Sequence, residues 1–552
     1  MDEIYCFEEI DGEIIDNKIR ENNNRKEIYL NKLKKTMANG KNKYGQYMTP
    51  EIVARFMVSL ADLSDDSKIL EPCSGEGIFL DILKEKRYNN IIAYEIDESL
   101  IKNLDLVRNK SFISENILQK FDLIIGNPPY IRWKNLEDEL KDELIINKLW
   151  NEYCNALCDY SSIFIVKAIE LLNENGQLIF ITPEYWLNTT HSIMLRNYMV
   201  ENGYFEEIYH FNETPMFEKT TVSLIIFKYI KSNNPIKKEI KLSKYFAKKK
   251  LNEDILNNLK SGIKQDNTEY IEIPQFKKDK SWILAPLSVI NELNDFKEKC
   301  RIKNSEDLYL IKDFCDIGNG LVSGLDKAFQ INSLALNEKE KNHLLKVVKA
   351  KNLVPYYHKE ITDYIFINEI KTEDELREYF PNFYNHLQEY KSKLNARYKY
   401  NREINYWEWV FLRNFKLFSK DVERIFVPCK ERISNKNYFR FALANKGIFP
   451  TQDVTAIFKK EKTQESIYYL LAFLNSKYVF DWLRYNGIVK GSIVEFSEKP
   501  IANIPFRKID FKNQNDVRLH DQISELTKKY IEIKDLLILE QIKTEMDKLF
   551  QN

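Results

Sequence analysis

The stretch Phe121-Asp122-Leu123-Ile124-Ile125-Gly126-Asn127-Pro128-Pro129-Tyr130 decides how the first half of the chain is read. Phe121 to Ile125 is a short, β-branched apolar run closed by a glycine, the signature of a buried strand. The two prolines after it fix φ and lack an N–H, so the chain leaves the sheet there as a rigid loop. In open α/β sheets that position, outside the carboxyl end of a strand, is where ligands bind.

Working outward, similar runs recur at Lys68 to Glu71, Ile91 to Glu95, Gln177 to Thr182, Glu207 to Phe211 and Ser223 to Phe227. Ile78 to Lys86, Glu98 to Arg108, Ser161 to Leu172 and His191 to Glu201 have helical spacing between them. This alternation predicts an α/β fold, a doubly wound Rossmann-like sheet covered on both faces. The first strand runs into Glu71-Pro72-Cys73-Ser74-Gly75-Glu76-Gly77, where Gly75 and Gly77 suit a strand-to-helix turn that approaches a ligand. The second ends in Tyr94-Glu95-Ile96-Asp97, which places Glu95 where a carboxylate can hold two ribose hydroxyls. Taken alone, these two features fit an ordinary turn with a solvated acid equally well.

The residue types of the Asn-Pro-Pro-Tyr loop suggest a chemistry. An exocyclic aromatic amine is a poor nucleophile because its lone pair is delocalised into the ring. Acceptors for both of its N–H bonds favour a pyramidal nitrogen with the lone pair exposed. The Asn127 side-chain oxygen and the Pro128 carbonyl are such acceptors, held in place in advance by Pro128 and Pro129, and Tyr130 offers a ring face for stacking. With a sulfonium methyl donor no strong base is required. The competing reading is a structural Asn-Pro turn with Tyr130 packed in a core.

These motifs, in this order, resemble the amino-methyltransferases of DNA modification, gamma class, typified by the TaqI methyltransferase. Tyr44-Gly45-Gln46-Tyr47-Met48-Thr49-Pro50 resembles the segment such enzymes carry before the first strand. The resemblance implies S-adenosylmethionine as cofactor, with Tyr47, Thr49, Glu71, Cys73, Gly75, Gly77, Glu95 and Ile96 around it. Glu71 would meet the methionine ammonium, Glu95 the ribose, and Asn116 and Ile117 the adenine ring. Asn116 stands where the family often has Asp. Phe217 would stack with Tyr130 on a target adenine flipped out of duplex DNA, and methylation would fall on N6.

The second half carries Gly318-Asn319-Gly320-Leu321-Val322-Ser323-Gly324-Leu325-Asp326, Tyr406-Trp407-Glu408-Trp409 and Lys490-Gly491-Ser492-Ile493-Val494-Glu495-Phe496-Ser497, which are similar to segments of target recognition domains in this class. Net charge is zero over 552 residues, yet residues 1–280 sum to roughly −6, 281–552 to roughly +6, and 391–460 alone to about +10. Arg397, Lys399, Arg402, Arg413 and Lys436 are the candidate contacts to double-stranded DNA. The expected organisation is a helical segment over 1–43, a methyltransferase domain over 44–245, a connector over 246–285, and an α+β recognition domain with terminal helices over 286–552.

Hydrophobic residues at 44% and charged residues at 30% indicate a globular chain. No run of 18 apolar residues suggests a membrane span, and Met1 to Asn17 lacks a secretory pattern, so a cytoplasmic location is expected. Seven scattered cysteines give no disulfide framework and no metal site, and Cys154 and Cys158 read as a core stripe on a helix. Rival readings are a glutamine-amide or RNA-base methyltransferase and a non-catalytic DNA-binding subunit. A fused restriction enzyme is disfavoured because about 40 residues precede the first cofactor motif. A separate restriction endonuclease is the expected partner.

Overall fold

The computed structural model describes residues 47–102, 106–217, 222–234, 238–331, 335–400, 402–434, 436–490 and 492–551; the expected N-terminal helical segment lies outside them. Two compact units divide the chain. One holds the described residues up to Trp186 with Thr190–Tyr270 and Gln275–Lys280; the other holds Leu187–Thr189, Ile271–Pro274 and Ser281 onward.

Up to Ile273 the elements follow as α1 (Glu51–Ser59), β1 (Ile69–Glu71), α2 (Ile78–Glu85), β2 (Ile91–Glu95), β3 (Val107–Asn109), β4 (Phe121–Gly126), α3 (Asp138–Ile146) and α4 (Lys148–Tyr153). They continue as α5 (Ser161–Leu171), β5 (Leu172–Pro183), α6 (Ile193–Asn202), β6 (Gly203–His210), β7 (Leu224–Lys231), β8 (Ile240–Tyr245), α7 (Glu253–Ser261) and β9 (Thr268–Ile273). The nine strands form one sheet in the order β3-β2-β1-β4-β5-β7-β6-β8-β9. The run β3-β2-β1-β4-β5 pairs in parallel throughout, whereas β7 runs antiparallel to both β5 and β6. Strand order reverses at β1, which lies between β2 and β4, so a crevice opens at the carboxyl ends of β1 and β4. Phe121, Leu123, Ile124 and Ile125 of β4 are fully buried. At roughly 1.5–3 kcal/mol for each buried aliphatic or Phe side chain, they fix the strand that delivers Asn127.

Three expectations are corrected. Where a helix is expected over Glu98 to Arg108, the described residues hold a 3-10 turn at Glu98–Leu100, capped by the Asp97 carboxylate. Val107 to Asn109 instead pair in parallel with Ala93 to Glu95, which buries Val107 against Leu80 and Ala93. Cys154 ends α4 in extended conformation and is not on a helix with Cys158. Residues 246–285 are not a connector: α7 and β9 lie there, and Gln275 pairs with both the N–H and the carbonyl of Phe205 at 3.1 and 2.6 Å.

The second unit mixes small sheets with helices. Cys315–Asn319, Val454–Lys459, Arg424–Pro428 and Ala442–Ala444 form one antiparallel sheet. Gln330–Ile331, Thr362–Ile365, Leu344–Val348 and Ile448–Pro450 form another. The run Ser466 to Leu483 breaks into two helices, Ile467–Leu474 and Lys477–Asn486, because Ser476 caps the second through the Val479 N–H. The C-terminal periodicity resolves as a helical pair, Gln514–Ile533 and Leu536–Gln551, that joins a core with Leu470, Phe473 and Phe506. Tyr406, Trp407 and Trp409 belong to a separate core with Tyr364 and Phe383.

Candidate active site

Glu71, Glu95 and Gly126 are the last residues of β1, β2 and β4, so three parallel strands bring the sequence-named acids and the Asn-Pro-Pro-Tyr loop to one edge of the sheet. Gly75 at φ 54° and Gly77 at φ 90° make the left-handed turn that carries the chain from β1 into α2. A cavity of about 230 Å³ opens there. Tyr47, Thr49, Glu71, Cys73, Gly75, Glu95, Ile96, Asn127 and Pro129 line it.

Glu71 is wholly buried, and among the described residues neither carboxylate oxygen has a hydrogen-bond partner. Burial, with Glu95 nearby, holds its carboxyl well above the usual range. A buried acid left unpaired in this way fits a cationic ligand group. Glu95 accepts from the N–H of Gly75 at 2.7 Å and of Asp97 at 2.9 Å, tying the glycine turn to β2, and burial raises its pKa. The Cys73 thiol is pushed well up by burial and by Glu95 and Glu71, so it stays protonated and donates to the Asn127 carbonyl at 3.3 Å.

Asn127 has its amide orientation set by its surroundings. Nδ2 donates to the Tyr47 carbonyl at 2.8 Å and to Thr49 Oγ1 at 3.1 Å, which turns Oδ1 the other way as the acceptor. The Tyr130 hydroxyl bonds Asn127 Oδ1 and also the Ile181 carbonyl, the latter at 2.8 Å. Among the described residues no donor reaches the Pro128 carbonyl. Tyr47 stacks on Tyr130 with ring centroids 5.7 Å apart and on Phe217 at 5.6 Å, so the three rings form a continuous aromatic wall. Phe217 is buried in the core behind it.

Asn116 and Ile117 are not brought to the cavity wall. Asn116 is exposed and neither residue lines the cavity; Ser111 and Phe112, five positions earlier, do. The chain turns immediately after β3 and so meets the cavity sooner. Ser111 Oγ donates to Glu143 of α3 at 2.6 Å, and Tyr160 and Phe164 close the same wall. A strand assigned at Val107 to Asn109 would have pointed to Ser111 and Phe112.

The cations named in the second unit behave differently. Arg397 is consumed by the Ser323 carbonyl at 2.8 Å and the Asn405 carbonyl at 3.0 Å, with Glu408 O also accepting. Arg413 donates to the Gly320 carbonyl at 2.7 Å, and Lys436 pairs with the buried Glu431 at 2.7 Å. These three hold the Gly318–Asp326 and Tyr406–Trp409 motifs or the local sheet, because turn carbonyls in a core need buried donors. A Cβ on Gly324 would meet Val410 at 2.5 Å and Arg397 at 2.9 Å, so the motif glycine makes room for that guanidinium. Lys399 lies against the Ile404 carbonyl at 3.4 Å, while exposed Arg402 stacks over Phe411 at 4.0 Å beside exposed Tyr398 and Tyr400.

Residues 41–217 match the family model described as Eco57I restriction-modification methylase. The Type II methyltransferase M.HindII of Haemophilus influenzae is 45% identical over 514 residues, covering 92% of this chain and 97% of that protein. M.HincII, also from Haemophilus influenzae, is 43% identical over 506 residues with the same shares of each chain. The structure of the Type IIL restriction-modification enzyme MmeI in complex with DNA shares the fold at TM-score 0.59 and 12% identity, covering 91% of this chain and 72% of that one. Identity of this level over nearly the whole length of both relatives leaves one conclusion: the chain belongs to the Type II methyltransferases of restriction-modification systems.

Proposed function

We propose that this site-specific DNA methyltransferase transfers a methyl group from S-adenosylmethionine to N6 of an adenine flipped out of duplex DNA, marking the recognition site of a separate restriction endonuclease. The observation that carries the reading is the acceptor pair at the end of β4: Asn127 Oδ1, oriented by Tyr47 and Thr49, next to the Pro128 carbonyl. The resemblance of the Asn-Pro-Pro-Tyr order to adenine-specific enzymes supports N6 as the target.

S-adenosylmethionine supplies an electrophilic methyl on a sulfonium. Glu71 would take its ammonium, Glu95 its ribose hydroxyls, and Ser111 and Phe112 would flank its adenine. When an amine enters, its two N–H bonds are received by Asn127 Oδ1 and the Pro128 carbonyl, which localises the lone pair toward the cavity. Tyr130 can release Asn127 without leaving a buried donor unmet, because its hydroxyl keeps the Ile181 carbonyl. Tyr130 and Phe217 provide the stacking faces that offset the few kcal/mol of unstacking. Tyr47 packs against both rings, so its side chain yields to the base while its backbone carbonyl stays on Asn127. Tyr398, Tyr400 and Arg402 form the DNA-contacting loop of the second unit.

Incubation with labelled S-adenosylmethionine and duplex DNA, followed by digestion to nucleosides, tests the reading. N6-methyladenine is expected; N4-methylcytosine, or label in protein or RNA alone, overturns it.

A further inference from the structure

Beyond the serines of its first turn, Ser161 and Ser162, α5 buries one polar side chain. Every residue from Ser161 to Leu171 is buried apart from Glu170, and Lys167 sits in that run at 8% exposure. Among the described residues it forms no ion pair. Its ammonium donates instead to three backbone carbonyls: Phe112 at 2.6 Å, Ile113 at 2.8 Å and Glu115 at 2.7 Å. The Phe112 ring lies 5.0 Å from the same nitrogen.

Three N–H bonds meeting three carbonyls of one five-residue turn is a full complement for an ammonium, and such charge-assisted bonds are roughly twice as strong as neutral ones. The turn's own bonds are all long, Glu115 N–H to Ser111 O at 3.3 Å, Ile113 N–H to Ser111 Oγ at 3.2 Å and Ser114 Oγ to Ser111 O at 3.5 Å, so the lysine with its three shorter bonds is its principal clamp. Burial draws the Lys167 pKa down to about 8, with the facing carboxylates of Glu143, Glu170 and Glu115 acting against it. A cation held there against that cost needs a return, and the turn it clamps is the one that presents Ser111 and Phe112 to the cavity.

We infer that Lys167 is a positioning residue for the cofactor: by gathering the carbonyls of Phe112, Ile113 and Glu115, it sets the wall against which the adenine of S-adenosylmethionine lies. The inference rests on the cofactor reading given above. Lys167 touches no reacting atom, so its loss acts on cofactor affinity and leaves the chemical step nearly intact.

The experiment titrates S-adenosylhomocysteine into wild type, Lys167→Met and Lys167→Arg by calorimetry, with amide hydrogen exchange of residues 111–115 measured on the ligand-free proteins. Expected for Lys167→Met is a Kd weaker by at least about 10-fold, faster exchange confined to that turn, and kcat at saturating cofactor within about 3-fold of wild type. Lys167→Arg, which keeps a buried cation and its donors, recovers part of the affinity and carries the test should the methionine variant fail to fold. A folded Lys167→Met with unchanged Kd and unchanged exchange overturns the inference alone. Wild type that binds no S-adenosylhomocysteine overturns the cofactor reading together with it.

Discussion

The Asn-Pro-Pro-Tyr loop and the basic window of residues 391–460 were both singled out by sequence, and the structure treats them in opposite ways. In the first, Asn127 and Pro129 line one cavity with Glu71 and Glu95. In the second, Arg397, Arg413 and Lys436 are consumed by carbonyls or by Glu431 within their own unit. A motif that specifies backbone geometry keeps its meaning through folding. A count of charges does not, because each charge can be spent internally and only its neighbours decide.

The comparison breaks first at Asn127. Asn127→Ala should lower methyl transfer by at least about 10³-fold, the scale of a lost electrostatic catalyst, while S-adenosylhomocysteine binding changes by less than about 3-fold; parallel loss of binding would assign the residue to the fold. Next in size is Arg397→Ala, which removes a guanidinium from three carbonyls and should cost about 2–4 kcal/mol, read as loss of the second unit's cooperative unfolding at its normal temperature. A stable Arg397→Ala with weakened DNA binding would restore it to the DNA surface.

Glu71→Gln should weaken S-adenosylhomocysteine at least about 10-fold, yet raise the thermal midpoint of the ligand-free protein by about 2–4 °C at pH 8. The sign follows from the raised pKa: the folded state holds the proton more tightly than the unfolded chain, whose carboxyl titrates near 4.5, so the carboxylate becomes a growing liability as pH rises through that window. The advantage of glutamine therefore shrinks toward pH 4.5, and a midpoint difference independent of pH would contradict an uncompensated charge at Glu71. The smallest effect is expected at Arg402, where Arg402→Ala should weaken DNA binding several-fold, lower the salt slope by about 1 and leave stability unchanged. An unaltered slope would remove the loop of Tyr398, Tyr400 and Arg402 from the interface.

Legibility followed local determinism. β4, the glycine turn and the acids ending β1 and β2 were readable because buried parallel strands announce themselves as short apolar runs and the turn demands glycine. Ser111 and Phe112 were missed because β3 is three residues long and half exposed, carrying little apolar signal against the neighbouring helical spacing. Residues 246–285 looked like a linker because α7 is largely polar, with Leu256 and Leu259 as its buried contacts, and β9 is a polar edge strand whose place in the sheet comes from backbone pairing that composition does not encode. Lys167 left a faint trace, one lysine inside Ile163 to Ile169, with nothing to say what it clamps.

By itself the sequence determined the α/β architecture of the first unit, the order of its motifs and the residue types on which the proposed acceptor chemistry rests, since each follows from periodicity, fixed φ or residue type within a few positions. Only tertiary structure decided which cations remain free, which turn meets the cavity and which way the Asn127 amide points. The amide and the turn depend on partners far along the chain, Asn127 on Tyr47 80 positions away and Lys167 on Phe112 55 positions away, and hydrogen bonds of that range exist only once the sheet has closed.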